Sequence, residues 1–346
     1  MNSDEIARLA NVSRSTVSRV INNYKNVPES TRKKVQEIID KYGYTPNVSA
    51  RVLAGKTNNV IGVFIGNVGI DINDDSSGTL PYNAELIVRI IQNCKKKGYM
   101  VLVDTITEVS EYFQIEEFFR SRMLFGGVFV GFPYRFKKIE ELSQKKYNIV
   151  LIDQLQEKDD KEKKVNFINC DNFLGGYLVT KYLIDMGHKS ILHIEGDNRL
   201  SAIERREGYI AALKEAGIKM KKNMIISGEY LEEKAYISMK KFLEKDTPTA
   251  IFAGNDTMAL GAYHAIREKG LEVPKDISIV GFDNLRLWKN LSLEDSKFLN
   301  ELTSVEIDMK ELADNIVELL FLKGEKVHKY CIPKIIEKKS VIKLED

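Results

Sequence analysis

From Val60 onward the chain alternates short apolar runs with longer amphipathic stretches, and few folds accept that pattern. VIGVFI (60–65), MVLVD (100–104), GVFVG (127–131) and NIVLID (148–153) have strand length and are largely apolar, as strands buried on both faces are. Between them lie helical periods such as AELIVRIIQNCKKKG (84–98), with Leu86, Ile87, Ile90, Ile91 and Cys94 on one face. A second series repeats the theme in SILHIEG (190–196), TAIFAG (249–254) and DISIVGF (276–282). Such alternation predicts doubly wound parallel sheets, and two series predict two lobes with a cleft between them. Ligands of such sheets lie beyond the carboxyl ends of the strands. The charged run QEKDDKEKK (156–164) reads as a solvated loop near the crossover.

The polar residues that end these strands are therefore the candidates for ligand contact. NIVLID ends on Asp153, AGND leaves Asn255 and Asp256 after a strand, and VGFDN leaves Asp283 and Asn284. Arg205 opens RREGY in a helix that follows the SILHIEG strand. Asp, Asn and Arg side chains can grip vicinal hydroxyls in pairs, and aromatic rings pack on sugar C–H bonds. Each position equally suits a cap or a turn; their joint appearance at strand ends favours ligand contact.

The first sixty residues are different. They carry ten Lys/Arg and five Asp/Glu, a balance of +5 within a chain of net charge +2, so the remainder stands at −3. Either a solvated terminus or a surface for a polyanion has that charge. Asn2 or Ser3 can cap a short helix that buries Ile6 and Leu9. Ser13 offers a second cap, and Val17, Val20 and Ile21 share one face of the helix that follows. Two short helices joined by a tight turn make a helix-turn-helix or an ordinary helical hairpin. The opposite face of the second helix carries Arg14, Ser15, Thr16, Ser18 and Arg19; arginine bonds guanine bidentately, and short hydroxyls reach phosphates or base edges. A third helix from about Pro28 carries Val35, Ile38, Ile39 and Tyr42 on one face and stops at Gly43. VSARVLAGK (48–56), with Asn47 as a cap and Gly55 as a stop, is too short to hold a helix alone. Leu53 there suits a minor-groove wedge or packs on a domain.

At these residues the chain resembles a known family. DEIARLANVSRSTVSRVINN, VPESTRKKV and YGYTPNVSARVLAGKT resemble the head and hinge of the lactose-repressor/galactose-repressor (LacI/GalR) family, in order and in spacing. The resemblance continues through DNFLGGYLVTKYLIDMGHKSILHIEG (171–196), PTAIFAGNDTMALGA (248–262), VPKDISIVGFDN (273–284) and LTSVEID (302–308), in an effector domain similar to periplasmic sugar-binding proteins. It implies that Arg14 and Ser15 choose operator bases, with Ser13, Thr16 and Arg19 beside them. It implies hinge contacts near Asn47 and Ala50, and a leucine wedge at Leu53. It implies effector contacts at Asp153, Arg205, Asn255 and Asp283, a stacking aromatic at Tyr230, and a Pro–aromatic pair at Pro81-Tyr82. The expected domains are a helix-turn-helix head (1–46), a hinge helix (47–57) and a two-lobed α/β effector-binding and dimerisation domain (58–346). The chain departs from the family in a longer, acidic first loop (66–79) and in a stretch (285–301) with the only tryptophan, Trp288, which caps a sugar ring or fills a loop core.

The function expected is a repressor on a pseudo-palindromic operator, a homodimer controlled by a small molecule, most readily a carbohydrate. The alternatives are a catabolite-control regulator driven by a phosphocarrier protein, or a sugar-binding transport receptor. An enzyme is disfavoured: four histidines form no HExxH, and neither GxSxG nor GxxxxGK[ST] occurs. His188 in MGHKS orders the turn before a strand. No cofactor or metal is expected. Three cysteines without a CxxC pair fit a reducing compartment, and MNSDEIARLA is not a secretory signal, so a cytoplasmic protein without a membrane segment is expected. The last residues carry no sustained heptads, which argues against a coiled-coil tetramer.

Overall fold

The computed structural model describes residues 2–21, 24–44, 59–66, 80–106, 112–132, 137–152, 165–221, 223–285 and 291–345. By internal contact the chain groups into two units, Met1–Asn59 with Glu117–Phe125, and Val60–Glu116 with Gly126–Asp346.

The first unit holds three helices, α1 (Ser3–Ala10), α2 (Arg14–Ile21) and α3 (Glu29–Tyr42). Asn2 is the cap of α1: its side chain accepts from the N–H groups of Asp4 and Glu5, and the Glu5 carboxylate accepts from the Asn2 N–H in return. Asn11, in the left-handed region at φ 54°, ends α1 and turns the chain into α2. Ile6, Ala7, Ala10, Val17, Val20 and Val35 form the centre of a small core. Leu9, expected beside Ile6, is 43% exposed, because Ala7 and Ala10 share the narrow face that so small a bundle can cover. Tyr42 is likewise exposed at the end of α3.

The second unit has two lobes. The first contains β1 (Val60–Gly66), α4 (Leu80–Lys96), β2 (Met100–Ile106), α5 (Tyr112–Arg120), β3 (Gly126–Val130), α6 (Lys137–Gln144), β4 (Asn148–Ile152) and β5 (Asn166–Cys170). The helix α5 of this lobe runs past the unit's bound at Glu116. The second contains α7 (Asn172–Asp185), β6 (Ile191–Glu195), α8 (Leu200–Glu215), β7 (Ile225–Ser227), α9 (Glu232–Leu243), β8 (Ala250–Ala253), α10 (Asp256–Glu268), β9 (Ser278–Asp283), α11 (Leu293–Glu301) and β10 (Thr303–Glu306). The chain then returns as α12 (Met309–Phe321), which packs on β3, β4 and β5, and as β11 (His328–Cys331), before β12 (Lys334–Ile336) rejoins the second lobe. Each sheet has six strands, ordered β11-β5-β4-β3-β1-β2 and β12-β10-β9-β8-β6-β7, and only β12 runs antiparallel to its neighbour. The two doubly wound parallel sheets expected from the alternation are present.

Strands β5, β7, β10, β11 and β12 carry no apolar run and were not anticipated. They are short, and several carry polar side chains that take part in the hydrogen bonding of the chain crossings. On α4, Leu86, Ile90 and Cys94 are buried while Ile91 is exposed. Among the described residues, no helix is long and apolar enough to cross a membrane.

Candidate functional site

In the head, the first turn of α2 is held by Ser13, whose Oγ accepts from the Thr16 N–H at 3.1 Å. The Ser13 hydroxyl also lies 2.7 Å from Ser15 Oγ and 2.8 Å from Thr16 Oγ1. Buried Val17 and Val20 fix the roll of the helix, so Arg14, Ser15 and Arg19 stand exposed and Thr16 half-buried. Arg14 has a loose ion pair with Asp4 at 3.7 Å, both side chains well exposed. A pair that open to water is worth at most ~1 kcal/mol, so Arg14 can exchange it for another partner. Asn47, Ala50 and Leu53 lie outside the described residues.

In the second unit, the carboxyl ends of strands from both sheets converge on a cavity of ≈ 60 Å³. Five of the six residues expected there line it: Tyr82, Arg205, Tyr230, Asn255 and Asp283. Asp153, Trp288 and all of the first extended stretch but Gly66 lie outside the described residues; of the second stretch only 286–290 do, and Leu293–Glu301 is the helix α11 rather than a loop. Gly66 and Gly131, at the ends of β1 and β3, give the floor on one side, and Asn83, Asn172, Arg199 and Ser201 add polar groups that strand-end reasoning did not select. Asn172 comes two residues after β5, a strand without an apolar run, so strand-end reasoning does not reach it; Arg199 and Ser201, at the start of α8, offer no strand end either.

Arg205 is the organiser. Its side chain is buried, with Nε donating to Asn172 Oδ1 at 2.9 Å, Nη1 donating to the Gly254 carbonyl and Nη2 lying 3.6 Å from Asp283 Oδ1. Its guanidinium also lies 3.5 Å from the centroid of the Phe282 ring. This reach depends on glycine. A Cβ at Gly176 would collide with the backbone of Arg205, and one at Gly208 with the backbone of Phe173. The two glycines let α7 and α8 approach closely enough for Asn172 to meet Arg205.

Burial pushes the Asp283 carboxyl above its usual range, against the pull of Arg205 and Arg199. Asp283 also adopts φ 97°, a conformation costing about 1–3 kcal/mol that the surrounding structure must hold in place. Strain of this kind concentrates where side-chain aim matters more than stability. Tyr230, at φ 59°, turns its ring against Gly196, where any Cβ would clash, and its hydroxyl lies 3.0 Å from Ser201 Oγ. Arg199, bonded through Nε to both oxygens of Asp197 at 2.9 Å, lies 4.5 Å from the centroid of that ring. Asn255 caps α10 by accepting from the Met258 N–H at 2.8 Å while lining the cavity. Its neighbour Asp256 turns inward instead, accepting from Ser304 Oγ at 2.6 Å and from the Leu285 N–H at 2.8 Å, and burial pushes its carboxyl up to about 7.

The set is one guanidinium held rigidly from three sides, a facing carboxylate, amides and two tyrosine rings. It can bind a small polar molecule from both lobes at once. Among the described residues, no group of three or more His, Cys, Asp or Glu side chains could hold a metal ion. His188 and His193 are tied within the second lobe, to the carbonyls of Ile342 and Phe252.

A helix-turn-helix head joined to a two-lobed body with such a cleft defines a DNA-binding regulator with a small-molecule pocket. Residues 4–47 match the family of bacterial regulatory proteins called lacI, and residues 180–341 match a periplasmic binding protein-like domain. The chain is 34% identical to the HTH-type transcriptional repressor PurR of Pasteurella multocida (strain Pm70) over 97% of both chains. It is 35% identical to the HTH-type transcriptional regulator MalR of Clostridium butyricum over 98% of this chain and 99% of that one. The lac repressor dimer bound to operator and the anti-inducer ONPF superposes with a TM-score of 0.79 at 25% identity, covering 97% of this chain and 98% of that one. The chain belongs to the lacI family of bacterial transcription regulators.

Proposed function

We propose that the chain is a repressor that binds a pseudo-palindromic operator as a homodimer and is released by a sugar or sugar derivative held in the cleft of the second unit. The observation that carries this reading is the convergence of Arg205, Asn255, Asp283 and two tyrosine rings at the strand ends of both lobes. Guanidinium, amide and carboxylate together match pairs of hydroxyls, and aromatic faces match sugar C–H bonds. Asp153, the residue that follows β4 in the sequence, belongs to the same grip on this reading.

In the head, Ser13, Arg14, Ser15, Thr16 and Arg19 read one half-site; Asn47, Ala50 and Leu53 engage the minor groove once the hinge, residues 47–57, folds on DNA. Two-fold protein symmetry then maps onto two-fold operator symmetry. The effector favours one lobe arrangement, and a coupling of about 1–3 kcal/mol changes operator affinity about 5–150-fold. The cleft residues grip rather than catalyse, and the protein works in the cytoplasm.

The test joins two measurements on the full-length protein. Thermal-shift screening against neutral sugars, sugar phosphates and purine bases identifies the ligand, and titration of that ligand into an operator complex measures release. A ligand that binds without altering operator affinity sinks the allosteric reading. Deletion of residues 1–56 with undiminished duplex binding sinks the assignment of the head.

A further inference from the structure

Two consecutive residues at the edge of the cleft, Asp283 and Asn284, hold φ values of 97° and 45°, in the region that favours glycine. Neither is glycine, so bonds from elsewhere must keep the turn in this shape. Asn284 is tied to three side chains. Its N–H donates to Ser304 Oγ at 3.1 Å, its Nδ2 donates to Glu306 Oε1 at 3.1 Å, and its Oδ1 accepts from Lys338 Nζ at 2.9 Å. The fourth tie is Asp256. Its Oδ2 accepts from the Leu285 N–H at 2.8 Å, and its Oδ1 accepts at 2.6 Å from the same Ser304 hydroxyl that receives the Asn284 N–H. One buried carboxylate thus grips the residue after the turn and the hydroxyl beneath it.

Asp256 reaches this place because α10 starts against β9. A Cβ on Gly281 would collide with Asp256 Oδ1, so glycine at 281 admits the carboxylate. Asp256 does not itself line the cavity. What it touches is the frame of Asp283, whose Oδ1 faces Arg205 Nη2 at 3.6 Å.

We infer that Asp256 is a positioning residue for the effector: its buried carboxylate locks the strained turn at 283–284 and so fixes the aim of Asp283 toward Arg205 and the bound molecule. The inference rests on the cleft being the effector site. Ionisation matters because both partners of Asp256 donate: a carboxylate accepts from both at once, whereas a protonated carboxyl turns one oxygen into a donor and loosens the hold. Burial favours the proton, the Ser304 hydroxyl opposes it, the like charge of Asp283 on β9 favours it, and the Leu285 N–H and Lys338 oppose it; the carboxyl is left at about 7. The turn ready for ligand is the ionised one, so protonation below about 7 slackens the turn and weakens binding.

The test uses the full-length protein in two arms. The first needs no ligand: hydrogen exchange of the Asn284 and Leu285 amides, corrected for intrinsic rates, from pH 8 to pH 6. In the wild type, protection falls on acidification; in Asp256→Asn it is low at pH 8 and stays level. The second arm measures affinity for whichever sugar, sugar phosphate or purine base the thermal-shift screen selects. Wild-type affinity falls severalfold from pH 8 to pH 6, about tenfold being the ceiling for one proton taken up near 7. Asp256→Asn binds weakly at pH 8 and loses that slope. Ser304→Ala, which removes the shared hydroxyl and keeps the carboxyl, moves the fall to higher pH. Wild-type protection or affinity in Asp256→Asn overturns the inference. A slope retained in Asp256→Asn assigns the titration to Asp283 and overturns it too, as does an unmoved midpoint in Ser304→Ala. Affinity that survives Arg205→Ala instead overturns the cleft reading and this inference with it, a signature that no outcome with Asp256→Asn shares.

Discussion

Arg205 Nε donates to Asn172 Oδ1 at 2.9 Å, joining the start of α7 to the middle of α8 across the floor of the cleft. A long guanidinium is useful for recognition only when its rotamer is fixed beforehand, and Asn172 fixes it. On the proposed reading, Asn172→Ala leaves Arg205 charged but less restrained and lowers effector affinity about tenfold, the scale of one hydrogen bond to a charged group at ~1.5–3 kcal/mol. Arg205→Ala abolishes the response altogether. Isothermal titration with the identified effector and operator binding without it are the checks; both variants keep ordinary operator affinity.

The approach of α7 to α8 is a packing feature with its own cost when disturbed. Gly176→Ala puts a methyl group into the backbone of Arg205, where no flexible side chain can yield. The helices must separate, so stability falls by about 1–3 kcal/mol, the scale of an overpacked core. Urea denaturation followed by circular dichroism measures the fall. Gly217→Ala provides a contrast: nothing lies within 4 Å of its Cβ position, and the loss there comes only from its φ of 69°.

How far the sequence reveals this protein follows from what each part asks of its residues. Strands β1, β3, β4, β6, β8 and β9 are buried on both faces and read as apolar runs. The strands that carry the crossings are polar because they have other work. Asn166 in β5 donates to the Leu319 carbonyl at 3.2 Å and accepts from the Val327 N–H at 2.9 Å, stitching α12 and the start of β11 to the first sheet. Thr303 and Ser304 in β10 bond to the Lys338 N–H and to Asp256. Hydropathy does not register side chains of this kind. The cleft was legible where a residue ends a strand, as Asn255 and Asp283 do. It was illegible at Arg199 and Ser201, whose placement depends on the path of a loop.

In the head, exposed Arg14 stands at the first position of α2, and among the described residues it has a loose pair to Asp4. Arg14→Ala therefore costs the isolated fold no more than a few tenths of a kcal/mol, while removing a base-reading group worth about 1–3 kcal/mol of discrimination. The expected outcome is an unchanged melting temperature and a selected operator pool that loses preference at one symmetric pair of positions. Selection from a randomised duplex library, sequenced before and after enrichment, is the measurement. An unaltered consensus removes Arg14 from base readout.

His264 binds three helices of the second lobe by charge. From α10 its Nδ1 lies 3.3 Å from Glu232 on α9, and its Nε2 lies 2.8 Å from Asp295 on α11. The hydrogen bond to Glu232 leads the effect, with Asp295 adding to it and partial burial opposing, and the imidazole is pushed up to about 9 from the usual 6.5. The folded state thus holds a proton that the unfolded chain releases near 6.5. Stability from this site is complete below about pH 6.5 and drains away as pH rises through about 9. With the side chain a third exposed, solvent screening leaves about 1 kcal/mol. His264→Gln removes the charge and keeps the polar contacts, so the gap in unfolding free energy between wild type and variant is widest near pH 6 and closes by about pH 10. A gap that stays constant from pH 6 to pH 10 assigns the loss to packing and refutes the charged clamp.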